Sequence, residues 1–192
     1  MPVSSTTRQV GAAVRMFLVL TVLLGVIYPA AIWGVGRLGL SHQADGSRIE
    51  RDGVVVGSSL LGQNFTDERH FHSRPSASEY AGAVSGGTNL YASNEDQQKA
   101  VAERRAAYAA ANGGADVPAD ALTASASGLD PHISPANAMA QVARVARANN
   151  LGEDAVRDLV DEHTRGRVLG FLGQPRVGVL ELNLAVEELA AG

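Results

Sequence analysis

Met16 to Gly36 (MFLVLTVLLGVIYPAAIWGVG) is a run of 21 residues without a charged side chain, and no later stretch stays apolar for a comparable length. At about 1.5 Å rise per residue a helix of that length reaches roughly 31 Å, close to the thickness of a bilayer's hydrocarbon core. The run predicts one membrane-spanning helix near the start of the chain, with Tyr28 and Trp33 as interfacial aromatics toward its far end. Pro29 has no N–H to donate, so a kink is expected in the last turns, and the freed carbonyl calls for a neighbouring helix or water. Tyr28 and Pro29 are therefore candidate contacts with a partner helix. A cleaved export signal is the competing reading, with Arg8 and Arg15 as its basic start and Tyr28-Pro29-Ala30-Ala31 as the cleavage site. The apolar run is too long for that and continues past the small residues.

Positive charge does not decide the orientation, because Arg8 and Arg15 on one side face Arg37, Arg48 and Arg51 on the other. A short N-terminal tail more readily stays in the cytoplasm while a long following domain is exported, and the absence of cysteine fits an oxidising compartment. The expected organisation is a cytoplasmic tail over 1–15, a spanning helix over 16–36, a linker over 37–47 and one soluble extracytoplasmic domain over 48–192, in contact with lipid only through its anchor. That leaves room for a single core. A formal net charge of −4 speaks against a nucleic-acid partner, which would require a basic face.

Within the domain, Gly53 to Gly57 frames a β-branched run and reads as a short strand. From Ser58 to Asn94 there is no sustained period, only a high density of Gly, Ser, Asn, His and Tyr. A loop that long in a compact domain points to function or to contact with another surface. Ser93 or Asn94 caps a helix that runs to about Ala111 and ends at Asn112-Gly113-Gly114. Asp116 to Ser127 reads as a second loop. Ser134 and Pro135 then open a helix running to Asn149 or Asn150, and another is expected over Glu153 to Thr164 with Val156, Leu159 and Val160 on one face. Gly170 to Pro175 reads as a turn, and Val177 to Leu184 alternates as a strand before a short helical end. The fold class that results is α+β.

Three segments carry candidate chemistry. His70-Phe71-His72-Ser73-Arg74-Pro75 places two histidines on one side of an extended segment, but a metal needs three or four ligands and no third is at hand, so hydrogen-bonded anchoring of a loop is the expected role. Val84-Ser85-Gly86-Gly87-Thr88-Asn89 lets the backbone approach an anion or turn sharply. It lacks the Gly-Lys-Ser/Thr of a phosphate loop, so a tight turn is expected. Ser127-Gly128-Leu129-Asp130-Pro131-His132-Ile133-Ser134 holds Ser, Asp and His together, which leaves open a tethered hydrolase using Ser127 and His132. Residues so close in sequence seldom form a triad, and Asp130 and His132 more simply position the following helix.

In order along the chain these segments resemble the KdpC family, the C subunit of the Kdp potassium-transporting ATPase. The words that carry the resemblance are Tyr28-Pro29, Gly57-Ser58, Leu61-Gly62-Gln63-Asn64-Phe65, Phe71-His72-Ser73-Arg74-Pro75-Ser76-Ala77, Ser85-Gly86-Gly87-Thr88-Asn89-Leu90, Ser93-Asn94, Thr123 to Ser134 and Val179-Leu180-Glu181-Leu182-Asn183-Leu184. Departures are small: Ala126 where the family often has glycine, Gly178 where it often has asparagine, and Gln174 where an acid is common. The resemblance implies a non-catalytic partner of a potassium-selective, channel-like subunit and of a P-type ATPase subunit. No Asp-Lys-Thr-Gly motif occurs here. The preferred reading is that the long loops cover the outer mouth of the potassium-selective subunit and stabilise assembly, with Gln63, Phe65, His72, Ser73, Arg74, Asp130 and His132 as partner contacts. A further role the resemblance implies is that of a catalytic chaperone with ATP at Ser85, Gly86, Gly87, Thr88 and Asn89, because Ser85-Gly86-Gly87 looks like part of the ABC-transporter Leu-Ser-Gly-Gly-Gln motif. An extracytoplasmic domain would hold those residues a bilayer away from cytoplasmic ATP. No catalytic residue, metal or firmly bound cofactor is expected.

Overall fold

A computed structural model describes residues 5–114 and 116–192, so the first four residues of the expected tail lie outside it. The chain divides into two compact units, one ending at Ser47 and the other spanning Arg48 to Gly192.

The first unit is dominated by a helix over Ser5–Gly39, the one described helix long and apolar enough to cross a membrane. It comprises α1 (Ser5–Val22), a π-helical turn (Leu23–Ile27) and α2 (Tyr28–Gly39). The π turn directly precedes Pro29: the Tyr28 N–H reaches back five residues to the Leu23 carbonyl, the widened hydrogen-bond register by which a continuous helix accommodates a proline. Helix begins well before the apolar run, so residues 5–15 of the expected tail are helical. The expected linker is also partly helical, holding the end of α2 and then α3 (Ser41–Ala44), with Arg37 paired to Asp45 at 3.1 Å and lying over the Trp33 ring at 5.9 Å.

The second unit opens with a hairpin, β1 (Arg48–Arg51) and β2 (Val54–Ser58), antiparallel with a register shift between Ile49 and Glu50. Its turn is Asp52-Gly53, both residues at positive φ (52° and 77°), the combination a right-twisted two-residue hairpin turn requires. After the long loop come α4 (Glu95–Asn112), α5 (Ala119–Leu122), β3 (His132–Ile133), α6 (Pro135–Asn149), α7 (Glu153–Glu162), β4 (Thr164–Arg165), β5 (Arg176–Gly178) and α8 (Val179–Ala191). Asn94 caps α4 by accepting from the N–H groups of Asp96 and Gln97, and Ser134 caps α6 by accepting from that of Asn137. The left-handed Gly113 and Asn150 end those helices.

A three-stranded antiparallel sheet of order β3-β5-β4 packs against α6, α7 and α8 around Phe71, Ile133, Val142, Val145, Val156, Val160, Val177, Leu182 and Val186. Burying each such side chain contributes about 1.5–3 kcal/mol, which makes this cluster the main stabilising element of the unit. One expectation is corrected here. Only Val177 and Gly178 of the expected Val177–Leu184 strand pair with neighbours, and the chain turns helical at Val179. Val179, Leu180, Leu182, Asn183 and Val186 are buried, and four of them, Val179, Leu182, Asn183 and Val186, follow the spacing of three, four and seven that a helix turns to one side.

Candidate functional site

The extended segment His70–Arg74 runs through the core without a strand beside it, so its backbone must find partners elsewhere. Side-chain amides supply them. Asn183 on α8 accepts from the Phe71 N–H at 2.7 Å and donates to the Phe71 carbonyl at 3.0 Å, as a neighbouring strand would. Gln141 on α6 does the same for His72, accepting at 2.7 Å and donating at 3.3 Å. Arg144, one turn further, donates to the carbonyls of Glu68 (2.6 Å) and His70 (2.9 Å), to Asn112 (2.9 Å) and to Gln141 (2.7 Å). It is 5% exposed, and burial pushes its pKa below the ordinary arginine value.

Arg74 leaves this segment toward the 123–134 loop. It donates to Asp130 at 2.9 Å and to the Thr123 carbonyl at 3.4 Å, while its Nε is buried without a partner among the described residues. The second oxygen of Asp130 accepts from the His132 N–H at 3.0 Å. Burial raises the Asp130 pKa, but the hydrogen bonds from His132 and the charge of Arg74 outweigh it and hold the carboxyl below its usual range. Tyr80 closes the corner by donating to the Arg74 carbonyl at 2.8 Å, from a backbone held at φ 61° after Glu79 at φ 52°. Two successive non-glycine residues in the left-handed region persist only where surrounding contacts fix them.

The remaining expected residues fall around this lock. Ser73 donates to the Gln63 carbonyl at 2.8 Å, and the Gln63 amide donates to Val56 at 2.9 Å, tying the loop to β2. Phe65 packs on the core and lies 5.4 Å from the His70 ring. His72 Nε2 lies 3.0 Å from the Asp67 carbonyl, which requires the proton on that nitrogen. Burial and then the Arg144 charge lower its pKa. His70 turns instead to Glu187 at 3.0 Å, so the two histidines serve different partners. No group of three or more His, Cys, Asp or Glu among the described residues is arranged to hold a metal. A cleft of about 410 Å³ opens beside the segment, walled by Phe65, His72, Arg74 and Tyr80 on one side and by Arg104 and Tyr108 of α4 on the other.

Ser85-Gly86-Gly87 lies against the 125–128 loop. The Ser127 carbonyl accepts from the Gly86 N–H (2.9 Å) and the Ser85 hydroxyl (3.1 Å). A Cβ on Gly87 would lie 3.3 Å from Ala126 Cα, and one on Gly128 (φ 70°) would fall 2.6 Å from Ser78 Oγ and 2.9 Å from the Gly86 carbonyl. What these glycines meet closely is the chain itself, the backbone of Ala126 and Gly86 and the Ser78 hydroxyl. Thr88 and Asn89 are exposed beyond it, Asn89 at φ 54°. Ser127 Oγ is engaged with Ser125 Oγ at 3.0 Å and the Leu129 N–H at 3.1 Å, and no hydrogen bond joins it to His132 among the described residues.

The profile of the family described as K+-transporting ATPase, c chain (KdpC) matches residues 10–188. The chain belongs to the KdpC family. It is 54% identical over 187 residues to the potassium-transporting ATPase KdpC subunit of Kineococcus radiotolerans, covering 95% of each chain. The KdpC subunit of Sorangium cellulosum is 52% identical over 180 residues, covering 91% of this chain and 95% of the relative. That of Mycobacterium tuberculosis is 49% identical over 187 residues, covering 95% and 99%. The side chains that sequence reasoning did not single out in this KdpC chain are Asn137, Gln141, Arg144 and Asn183, all buried. The signal was present: Asn137, Gln141 and Arg144 recur at steps of four and three on α6, a polar line on a face that otherwise faces the core.

Proposed function

We propose that this KdpC chain is a non-catalytic accessory subunit of an ATP-driven potassium import complex, anchored by one helix and supporting assembly of the potassium-selective and ATP-hydrolysing subunits. In this reading residues 1–15 are cytoplasmic, 16–36 span the bilayer, 37–47 connect, and the 48–192 domain stands outside the cytoplasm. One observation carries it: the polar side chains of His72–Arg74, Ser85 and Thr123–Asp130 bond to one another and to backbone. Arg74 and Asp130 pair with each other, Ser85 and Gly86 donate to Ser127, and Ser127 is held by Ser125 and Leu129. Groups committed in this way make a rigid scaffold, and a rigid scaffold suits a surface that must be matched by partners. The catalytic-chaperone alternative would need Ser85 and Gly86 to release Ser127 before they could face a nucleotide.

The test is to express the complex with and without this chain and to measure recovery of the other subunits together with potassium-stimulated ATP hydrolysis. Omission is expected to lower recovery of the intact complex at least several-fold. Undiminished recovery and turnover without the chain would contradict the proposal, and photolabelling of Gly86 or Gly87 by an azido-ATP would favour the chaperone alternative.

A further inference from the structure

Between β4 and β5 the chain makes a projection whose composition is unlike the rest of the domain. Val168, Leu169, Phe171 and Leu172 are 53%, 79%, 68% and 50% exposed. The tip is nonetheless ordered by its own backbone: Val168 and Leu172 exchange hydrogen bonds at 3.0 and 2.9 Å, and the Gly170 N–H reaches Arg167 at 3.2 Å. Its base is the Arg165–Arg176 cross-strand pair, one register step from Val177 at the centre of the core sheet. A cluster of large apolar side chains held rigidly in solvent has no role in folding the chain that carries it.

The charges at the base are equally specific. Two arginines directly opposite on paired strands repel, and only Arg165 is relieved, by Glu181 at 2.7 Å. Arg167 and Arg176 have no ion pair among the described residues. From Arg165 to Arg176 the chain holds no acid, although residues 48–192 carry 19 acidic and 13 basic side chains. An acidic body is repelled by an anionic bilayer surface, whereas a protein groove with a carboxylate rim can take this basic spot alone. Subunits that admit cations line their entrances with carboxylate or carbonyl oxygens, the chemistry complementary to two unpaired guanidinium groups.

We infer that the Arg167–Leu172 tip is the docking knob of the domain, seating Leu169 and Phe171 in an apolar groove on the potassium-selective subunit while Arg167 and Arg176 meet acidic groups on its rim. The inference rests on the accessory-subunit reading above.

Full-length chain carrying Leu169→Asp with Phe171→Asp, or Arg167→Glu, is co-expressed with the other subunits and the complex purified in detergent. The exposed positions leave the fold intact, which the thermal midpoint of each variant chain checks. The double variant is expected to lower co-purification at least tenfold, and Arg167→Glu about threefold, the latter loss shrinking as salt rises. Because the chain has no cysteine, a single cysteine at Leu169 bearing an environment-sensitive fluorophore reports the occupant. It should become shielded from aqueous iodide on complex formation and stay accessible in the chain alone in vesicles. Wild-type assembly together with unchanged assembly of both variants overturns the knob while leaving the accessory role standing. Failure of the wild-type chain to co-purify overturns the accessory role and the knob with it. Quenching of the fluorophore by spin-labelled lipid in vesicles holding the chain alone overturns the knob in favour of bilayer insertion.

Discussion

Removing the Asn183 amide strands the N–H and carbonyl of Phe71 in a site that is 1% exposed, since both bond to that one side chain. Each stranded group costs about 1–3 kcal/mol. Asn183→Ala should therefore destabilise the chain by roughly 2–5 kcal/mol in urea titration, and Asn183→Asp, which sets a buried carboxylate against the Phe71 carbonyl, should regain stability as pH falls and the carboxyl gains a proton to donate. A loss for Asn183→Ala below about 1 kcal/mol would refute the paired-amide role. His72 adds a pH dependence of definite sign. Its folded pKa lies below 6.5, so between that value and 6.5 the unfolded chain takes up a proton that the folded chain refuses. The stability it contributes is fully present above pH 6.5 and is lost as pH falls through the folded value. His72→Gln keeps a donor for the Asp67 carbonyl and cannot titrate, so its thermal midpoint should fall less between pH 6.5 and 5 than that of the wild type. Identical slopes would show that His72 does not titrate in this way. Sequence reasoning reached His72, Arg74 and Asp130 because they sit in motif words. It took Asn183 only as part of the Val179–Leu184 word and did not single out Gln141 or Arg144, because a polar side chain within an apolar run does not say which backbone it will reach.

At the scale of elements, the 85–87 and 125–128 loops approach each other as two backbones, and the glycines are not equivalent. A Cβ at Gly128 meets Ser78 and the Gly86 carbonyl from a left-handed backbone, while one at Gly86 meets nothing within 4 Å. Gly128→Ala should lower the thermal midpoint by several degrees and expose the 76–92 loop to limited proteolysis, whereas Gly86→Ala should be nearly neutral. The reverse order would mean that Gly86, and not the loop contact, is the sensitive point. The capped helices α4 and α6 were legible from Asn94, Ser134, Pro135 and Gly113, because capping is decided within a few residues. Strand β1 was not read, although Asp52-Gly53 is a strong hairpin signal, since Arg-Ile-Glu-Arg has a single apolar residue to mark it. The reading of α8 as a strand failed because Val-Leu-Glu-Leu-Asn-Leu satisfies both periods, and only packing on α7 and β5 chooses between them.

For the whole molecule, one apolar helix of Ser5–Gly39 and one mixed α+β unit from Arg48 onward account for the described chain, and both were visible in outline from hydropathy and loop composition. Family membership was carried by the order of short motif words, whose side chains turn out largely to bind each other. The orientation of the domain is the claim on which the assembly proposal and the knob both depend. It is tested most directly in intact cells by a membrane-impermeant thiol reagent, with single cysteines placed at Thr88 and, separately, at Thr6 in the cysteine-free chain. Labelling is expected at Thr88 and protection at Thr6. Labelling at Thr6 with protection at Thr88 would put the domain in the cytoplasm, contradict docking on the outer face of the potassium-selective subunit, and bring the Ser85–Asn89 segment within reach of ATP.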